Sequence, residues 1–194
     1  MAVLLSVVPS TITILPVSNA AQTNPQIGGV RQRKVRLGSH FRVEGTFPPL
    51  IMAQGRSHVA DIVGCEVVPC ALSVPQPEIA SLPVTSTLVN GAGQSGYTLA
   101  VDGFAAGYVF TKGQFFNHIT ASRRYLYMVQ AAATANGSGQ ATLTIWPMLR
   151  ASPADNAVLD FLTPYIEGWL EIGGGWNVTP DFTIETSFSI EEAA

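Results

Sequence analysis

The feature that most constrains the fold of this chain is the regular spacing of turn residues along residues 91–150. Short alternating, β-branched or aromatic runs occupy residues 97–101, 108–110, 115–119, 124–129 and 141–145. Dipeptides such as Asp102-Gly103 and Lys112-Gly113 separate these runs, and glycine suits such turns because it tolerates positive φ. Short strands between regularly spaced turns are typical of small antiparallel barrels and sandwiches. We therefore predict a small antiparallel barrel-like unit over residues 91–150.

The N-terminal part, residues 1–90, is predicted to be a β-subdomain that contains one short helix. Strand-like runs occupy residues 3–8, 11–15, 30–37 and 41–47. The apolar side chains of Met52, Val59, Ile62 and Val63 suit one helical face. They predict a helix near 51–63. Four prolines lie within residues 66–83, which predicts an irregular connector there, and residues 81–89 are expected to form a strand.

The C-terminal part, residues 151–194, is predicted to supply strands that close the fold. Strand-like runs occupy residues 157–162, 165–172, 176–179 and 182–190. Gly173-Gly174-Gly175 is expected to be a hairpin-like break, and 182–190 alternates as a half-buried strand does. The fold class is therefore all-β, an antiparallel sandwich or barrel built as one or two packed β-subdomains, with one short helix in the N-terminal half.

The composition favours a protein that hides surface in an assembly. Hydrophobic residues make up 47% of the chain and charged residues only 12%, against about 25% charge in ordinary globular domains. A net charge of −3 gives no general field for nucleic acid or anionic membranes. Residues 1–21 imitate a signal peptide, but no Lys or Arg precedes the apolar run and Pro9 and Pro16 interrupt it. We expect uncleaved strands there and no membrane insertion.

One strand concentrates basic charge. Four of the ten basic residues of the chain are Arg31, Arg33, Lys34 and Arg36. They are either a solvated edge strand, where cations block unwanted pairing, or charges that face a neighbouring subunit or the phosphates of DNA. The sequence leaves both interpretations open.

No constellation of catalytic or metal-binding residues is visible in the sequence. His40, His58 and His118 lie in separate segments, each without a cysteine or carboxylate at ligand spacing. His118, in a strand beside Asn117, is expected to be a hydrogen-bonded or exposed histidine and not a ligand. Cys65 and Cys70 are expected to be ordinary reduced thiols, because two cysteines alone do not make a metal site. Glu191-Glu192 is expected to be a solvated acidic pair. The sequence therefore predicts no enzyme activity, no cofactor and no bound metal.

Five sequence words follow one another in a characteristic order between about residues 95 and 160. They read VDGF, KGQFF, RRYLYMV, ANGSGQATLTIWPMLR and SPADNAV. Each word alone is a turn followed by a strand, but their order resembles the C-terminal half of the distal tail proteins of long-tailed, siphovirus-like bacteriophages. The resemblance is best over residues 95–160, and the flanking segments match loosely.

This resemblance implies a structural virion component that is assembled in the host cytoplasm. In that family a ring of subunits, typically a hexamer, joins the tail tube to the host-recognition tip, and DNA passes through its lumen. The implied partners are further copies of the chain, the tail tube protein and the tail hub and tip proteins. The basic stretch from Arg31 to Arg36 would then line the lumen or meet the adjacent tube ring.

Two other functions stay open at this point. The first is a receptor- or carbohydrate-binding module of the tail tip, which requires exposed aromatic rings. The candidate rings are Trp146, Trp169, Trp176, Tyr125 and Tyr127, although aromatic residues on strands usually lie in the core. The second is a secreted β-sandwich that retains its signal. Exposure of the ring faces distinguishes a sugar platform from a core aromatic.

Overall fold

The computed structural model describes residues 2–24, 26–79, 87–180 and 183–193. Within these ranges the chain forms many strands and one helix, which confirms the all-β prediction. The elements are β1 (Val3–Leu4), β2 (Thr11–Val17), β3 (Ala20–Thr23), β4 (Gln32–Val35), β5 (His40–Thr46), β6 (Leu50–Ile51), α1 (Met52–Gly64), β7 (Cys70–Ser73), β8 (Leu88–Val89), β9 (Thr98–Asp102), β10 (Val109–Phe110), β11 (Phe115–Thr120), β12 (Arg123–Val129), β13 (Ala133–Thr134), β14 (Ala141–Trp146), β15 (Val158–Asp160), β16 (Tyr165–Val178) and β17 (Thr183–Glu192).

Six strands close into a barrel in the order β11-β12-β14-β9-β8-β15. Alternate side chains of these strands point inward and fill it with apolar groups. Phe116 and Phe161 stack there with ring centroids 4.5 Å apart. The barrel extends beyond residues 91–150, because β8 and β15 are needed to close its hydrogen-bonded ring.

A second sheet joins the N-terminal and C-terminal strands in the order β1-β7-β16-β17-β5-β2, with β6 also paired to β17. The register places Leu170, Ile190 and Val43 side by side, so their side chains share one face. Helix α1 packs on this inner face, where Ile62 joins the same core cluster. In chain order, the barrel is therefore an insertion between strands β7 and β16 of this sheet.

The helix lies very close to the sheet because Gly55 has no side chain. A Cβ atom at Gly55 would lie 2.9 Å from Cβ of Ile184 on β17, closer than real Cβ contacts. One turn later, His58 packs edge-on against Phe47, with ring centroids 4.2 Å apart. Gly55 thus weakens the helix but permits its packing.

Polar side chains fasten the barrel to the sheet. Asn117 of β11 bonds the backbone of Tyr165 twice: its Nδ2 donates to the Tyr165 carbonyl oxygen at 2.8 Å, and its Oδ1 accepts from the Tyr165 N–H at 2.6 Å. Gln76 likewise donates to the carbonyl of Phe161 at 2.6 Å and accepts from the N–H of Phe115 at 3.0 Å. These contacts fix the position of both ends of the barrel insertion.

Three local predictions are corrected by the structure. Gly173-Gly174-Gly175 is no hairpin break: β16 continues through it with a shift of register between Ile172 and Trp176, which is a bulge that absorbs the extra residues. The connector 66–83 is not wholly irregular, because β7 pairs there with β1 and β16. Of the predicted strand 81–89, only Leu88–Val89 is a described strand; residues 80–86 lie outside the described ranges.

Candidate functional site

The described residues between 18 and 39 form an exposed hairpin, which we call the arm. Its strands β3 and β4 pair from Ala20 opposite Val35 to Thr23 opposite Gln32. All four residues of β4 are exposed. The apolar side chains of Ile27 and Val30 are 98% and 85% exposed. The described part of the arm therefore packs mainly on itself.

The four basic residues singled out in the sequence are brought together on this arm. Arg31, Arg33, Lys34 and Arg36 are all exposed, and none of them forms an ion pair among the described residues. Arg33 donates from Nη2 to Ser18 Oγ at 2.9 Å. Residues 18–39 contain no Asp or Glu, so the positive charge of the arm is not neutralised within the arm itself.

The root of the arm is fixed by Asn19. The Asn19 N–H donates to Ser39 Oγ at 3.1 Å, and its Nδ2 donates to the carbonyl of Leu37 at 2.7 Å. Gly38 adopts φ +104°, and a Cβ there would lie 2.9 Å from Asn19 Nδ2. A residue with a side chain is strained at such an angle. The arm thus has a defined junction with β2 and β5.

The face of the large sheet opposite the helix, which we call the open face, is polar and mostly acidic. The pairing register places Glu44, Ser189 and Glu171 together, with Arg42, Glu191 and Trp169 beside them. His40 Nε2 lies 2.9 Å from Glu191 Oε1. Arg42 contacts Glu44 at 3.0 Å. Glu171 and Glu185 are exposed and form no ion pair within the described chain.

A groove of about 390 Å³ crosses the open face where β5, β16 and β17 meet. It is lined by His40, Arg123, Trp169, Glu171, Ser189, Glu191, Glu192 and Ala193. The side chain of Trp169 is 48% exposed. An indole beside carboxylates offers its aromatic face to a cation. The carboxylate oxygens accept hydrogen bonds from the N–H groups of the same cation. Of the arm residues that the structure describes, none lines this groove.

The other aromatic candidates divide between core and surface. Trp146 packs edge-on against Phe41 at 4.7 Å. Tyr127 is buried in the barrel, and Tyr125 is half-buried against the same cluster. Trp176 is 48% exposed, like Trp169. Only Trp169 and Trp176 of the five therefore present a substantially exposed ring.

A buried ion pair that sequence reasoning missed joins the last strand to the barrel. Glu192 was expected to be solvated, but its side chain is fully buried and accepts from Arg150 Nη2 at 2.5 Å and from the N–H of Leu126 at 2.7 Å. Burial alone would lower the pKa of Arg150, but the carboxylate of Glu192 outweighs it and the pKa lies above its ordinary value. The only sequence signal was an arginine that follows an apolar segment, four residues after the end of β14.

All three histidines are buried, and among the described residues only His40 has hydrogen-bonding partners at both ring nitrogens. His118 has no hydrogen-bonding partner for either ring nitrogen among the described residues, contrary to the expectation of a bonded or exposed histidine. Burial lowers the pKa of His118. Burial also lowers the pKa of His58, which the negative charge of Asp61 partly opposes. Both imidazoles are therefore neutral near pH 7.

The two cysteines are free and buried. Cys65 Sγ donates to the carbonyl of Asp61 at 3.2 Å. Burial raises the pKa of Cys65 and of Cys70 above the ordinary thiol value. Both side chains are consequently protonated thiols that are unreactive as nucleophiles at neutral pH.

Within the described residues, no three His, Cys, Asp or Glu side chains converge as metal ligands do. The helix found in the described part of the chain lacks the length and apolar character of a transmembrane span. No protein-family model matches the chain, and no curated protein matches it by sequence. The arm and the groove on the open face are therefore the two candidate functional surfaces.

Proposed function

We propose that this chain is a structural virion subunit: a ring-forming distal tail protein that joins the tail tube to the host-recognition tip. The observation that carries the proposal is the arm. Its root is held by defined hydrogen bonds, whereas its apolar tip and four cations are exposed. Exposed apolar residues of this kind commonly mark a surface that another molecule covers.

The edge of the large sheet supports the same proposal. Strand β2 is the terminal strand of the sheet and pairs on one side with β5. An edge strand is a template for pairing with a further chain. Pro16, near the end of β2, restricts such pairing to the part of the strand before it. A subunit with an unpaired strand edge and an arm that reaches a neighbour suits head-to-tail contacts. Such contacts form a ring when the rotation from one subunit to the next closes.

The sequence segments that carry the resemblance over residues 95–160 correspond to strands of the barrel. KGQFF leads into β11, RRYLYMV coincides with β12, and the ATLTIW of the next word is β14. These words therefore describe successive strands of one barrel. The proposal includes what the resemblance implies: a hexameric ring, tail tube and tail hub proteins as neighbours, and a lumen through which DNA passes.

Shortening the arm tests the proposal. In the test variant, an Asn-Gly turn replaces residues 20–35, because this dipeptide closes two-stranded hairpins. We expect the wild-type protein to form rings in negative-stain images and large species in sedimentation velocity. The shortened variant should sediment as a monomer and keep its near-ultraviolet circular dichroism. A wild-type protein that stays monomeric at every concentration would contradict the proposal.

A carbohydrate-binding module of the tail tip is the second candidate, and the exposed rings of Trp169 and Trp176 favour it. A sugar that stacks on an indole changes its fluorescence. We would titrate the protein with a panel of cell-wall oligosaccharides and compare Trp169→Ala with the wild type. Saturable quenching that disappears in Trp169→Ala would support this candidate, and an unchanged emission spectrum would reject it.

A further inference from the structure

We propose that the arm of one copy lies in the groove beside Trp169 on the open face of a neighbouring copy. The inference rests on the proposed function, because it needs copies of the chain to associate. It adds to that function by identifying the two surfaces that meet. The arm supplies the cations, and the groove supplies an indole and carboxylates.

The first argument is charge complementarity. Residues 18–39 contain four cations and no carboxylate. The open face presents the four carboxylates of Glu44, Glu171, Glu185 and Glu191. Two cations lie beside them: Arg42, and Arg123 in the lining of the groove, whose guanidinium lies 6.0 Å from the ring centroid of Tyr125. Arg42 is already paired with Glu44. Opposite charges on two surfaces steer their encounter and fix its orientation.

The second argument is the chemistry of the groove. Trp169 leaves about half of its surface exposed, and Glu171 follows two residues later on the same face of β16. A guanidinium stacks on an indole and donates to a carboxylate at the same time. Three of the four cations on the arm are arginines. The groove therefore fits an arginine side chain better than a neutral ligand.

The arm of the same copy does not occupy the groove. The arm directly precedes His40, which lines the groove, yet none of the described residues of the arm lines it. The cations of the arm are exposed instead. The groove is thus available to the arm of another copy. A contact between two different surfaces of identical subunits is heterologous, and such contacts close into rings.

A charge exchange tests the inference. The groove variant carries Glu171→Lys and Glu191→Lys, and the arm variant carries Arg31→Glu and Arg33→Glu. We expect each to weaken association about tenfold or more, since like charges then face each other. The variant with all four changes should regain most of the wild-type association, because the charges are again opposite. Sedimentation velocity measures the dissociation constant, and thermal melting confirms folding.

A matched control separates the groove from net charge. Glu66→Lys with Glu78→Lys changes the net charge by the same amount at exposed carboxylates outside both the groove and the open face, and it should leave association unchanged. Failure of the four-change variant to recover, or equal weakening by the control, would overturn the inference while wild-type rings still supported the proposed function. A wild type without rings would overturn both. If saccharides quench Trp169 and rings form normally in the groove variant, the groove binds sugar and the inference is wrong.

Discussion

At the scale of single residues, the buried pair Arg150–Glu192 is the contact on which the joining of barrel and sheet depends most. The Arg150 side chain is 5% exposed and Glu192 is fully buried. Arg150→Met leaves a buried carboxylate without its cation, so we expect a loss of about 3–5 kcal/mol in the free energy of unfolding. The control Glu44→Gln breaks the half-exposed pair with Arg42 and should cost less than about 1 kcal/mol. Urea denaturation measures both. Equal losses would show that burial of the pair is unimportant.

His118 makes a second residue-scale prediction, on pH. Burial lowers the folded-state pKa of His118 below the ordinary histidine value, so the unfolded chain binds the proton more readily than the folded one. Stability is then full above about pH 6.5 and falls as the pH drops toward the folded-state pKa. The ring of His118 stacks on Tyr125, with the ring centroids 6.2 Å apart. In His118→Phe, unfolding free energies at about pH 5 and pH 7 should differ less than in the wild type. An unchanged difference would assign the pH dependence to other groups, such as His58.

At the scale of elements, helix α1 shows how packing outweighs intrinsic propensity. Gly55→Ala improves helix propensity by about 1 kcal/mol, but its Cβ would lie 2.9 Å from Cβ and from Cδ1 of Ile184. We expect a net destabilisation of about 1–3 kcal/mol. Gly64→Ala, at the last residue of the same helix, meets nothing within 4 Å and should be neutral or stabilising by up to about 1 kcal/mol. Thermal melting of the two variants distinguishes them. A stabilising Gly55→Ala would mean that β17 moves away at little cost.

The elements also show which structure could be predicted from the sequence. Barrel strands β9, β11, β12 and β14 could be predicted within a residue, since alternation and turn glycines are local signals. The predicted strand 108–110 belongs instead to a separate two-stranded sheet, β10 with β13, because the sequence does not show which strands pair. The continuity of β16 could not, because a glycine triplet has the composition of a turn, and only pairing with β17 shows that it is a bulge. The pairing of β17 with β5 joins residues nearly the whole chain apart and leaves no local signal. For the candidate site, alternation over 30–37 predicts a strand, whose cations the sequence leaves as either solvated or facing a neighbour. Neither the arm nor the groove has a sequence signature.

At the scale of the whole molecule, the chain should unfold as one cooperative unit although it contains a barrel and a sheet. The barrel leaves the sheet after β7 and returns at β16, so both connections end in central strands. Asn117 and Gln76 bond the backbone at the junctions, and Leu126 of β12 belongs to the core cluster of the sheet. Separating the two parts would expose that shared core and the charge of Glu192. Cooperative behaviour follows when no part retains a complete core by itself.

Two probes test this cooperativity. Hydrogen exchange at the N–H of Leu143 reports on the barrel core, and exchange at the N–H of Ile190 reports on the sheet. Both side chains are fully buried, and we expect equal free energies of opening for both amides, equal in turn to the global value from urea denaturation. In Arg150→Met both values should fall together, because the lost pair stabilises neither part alone. If only one amide lost protection, the barrel and the sheet would unfold independently. Strand β17 would then not couple the stability of one to that of the other.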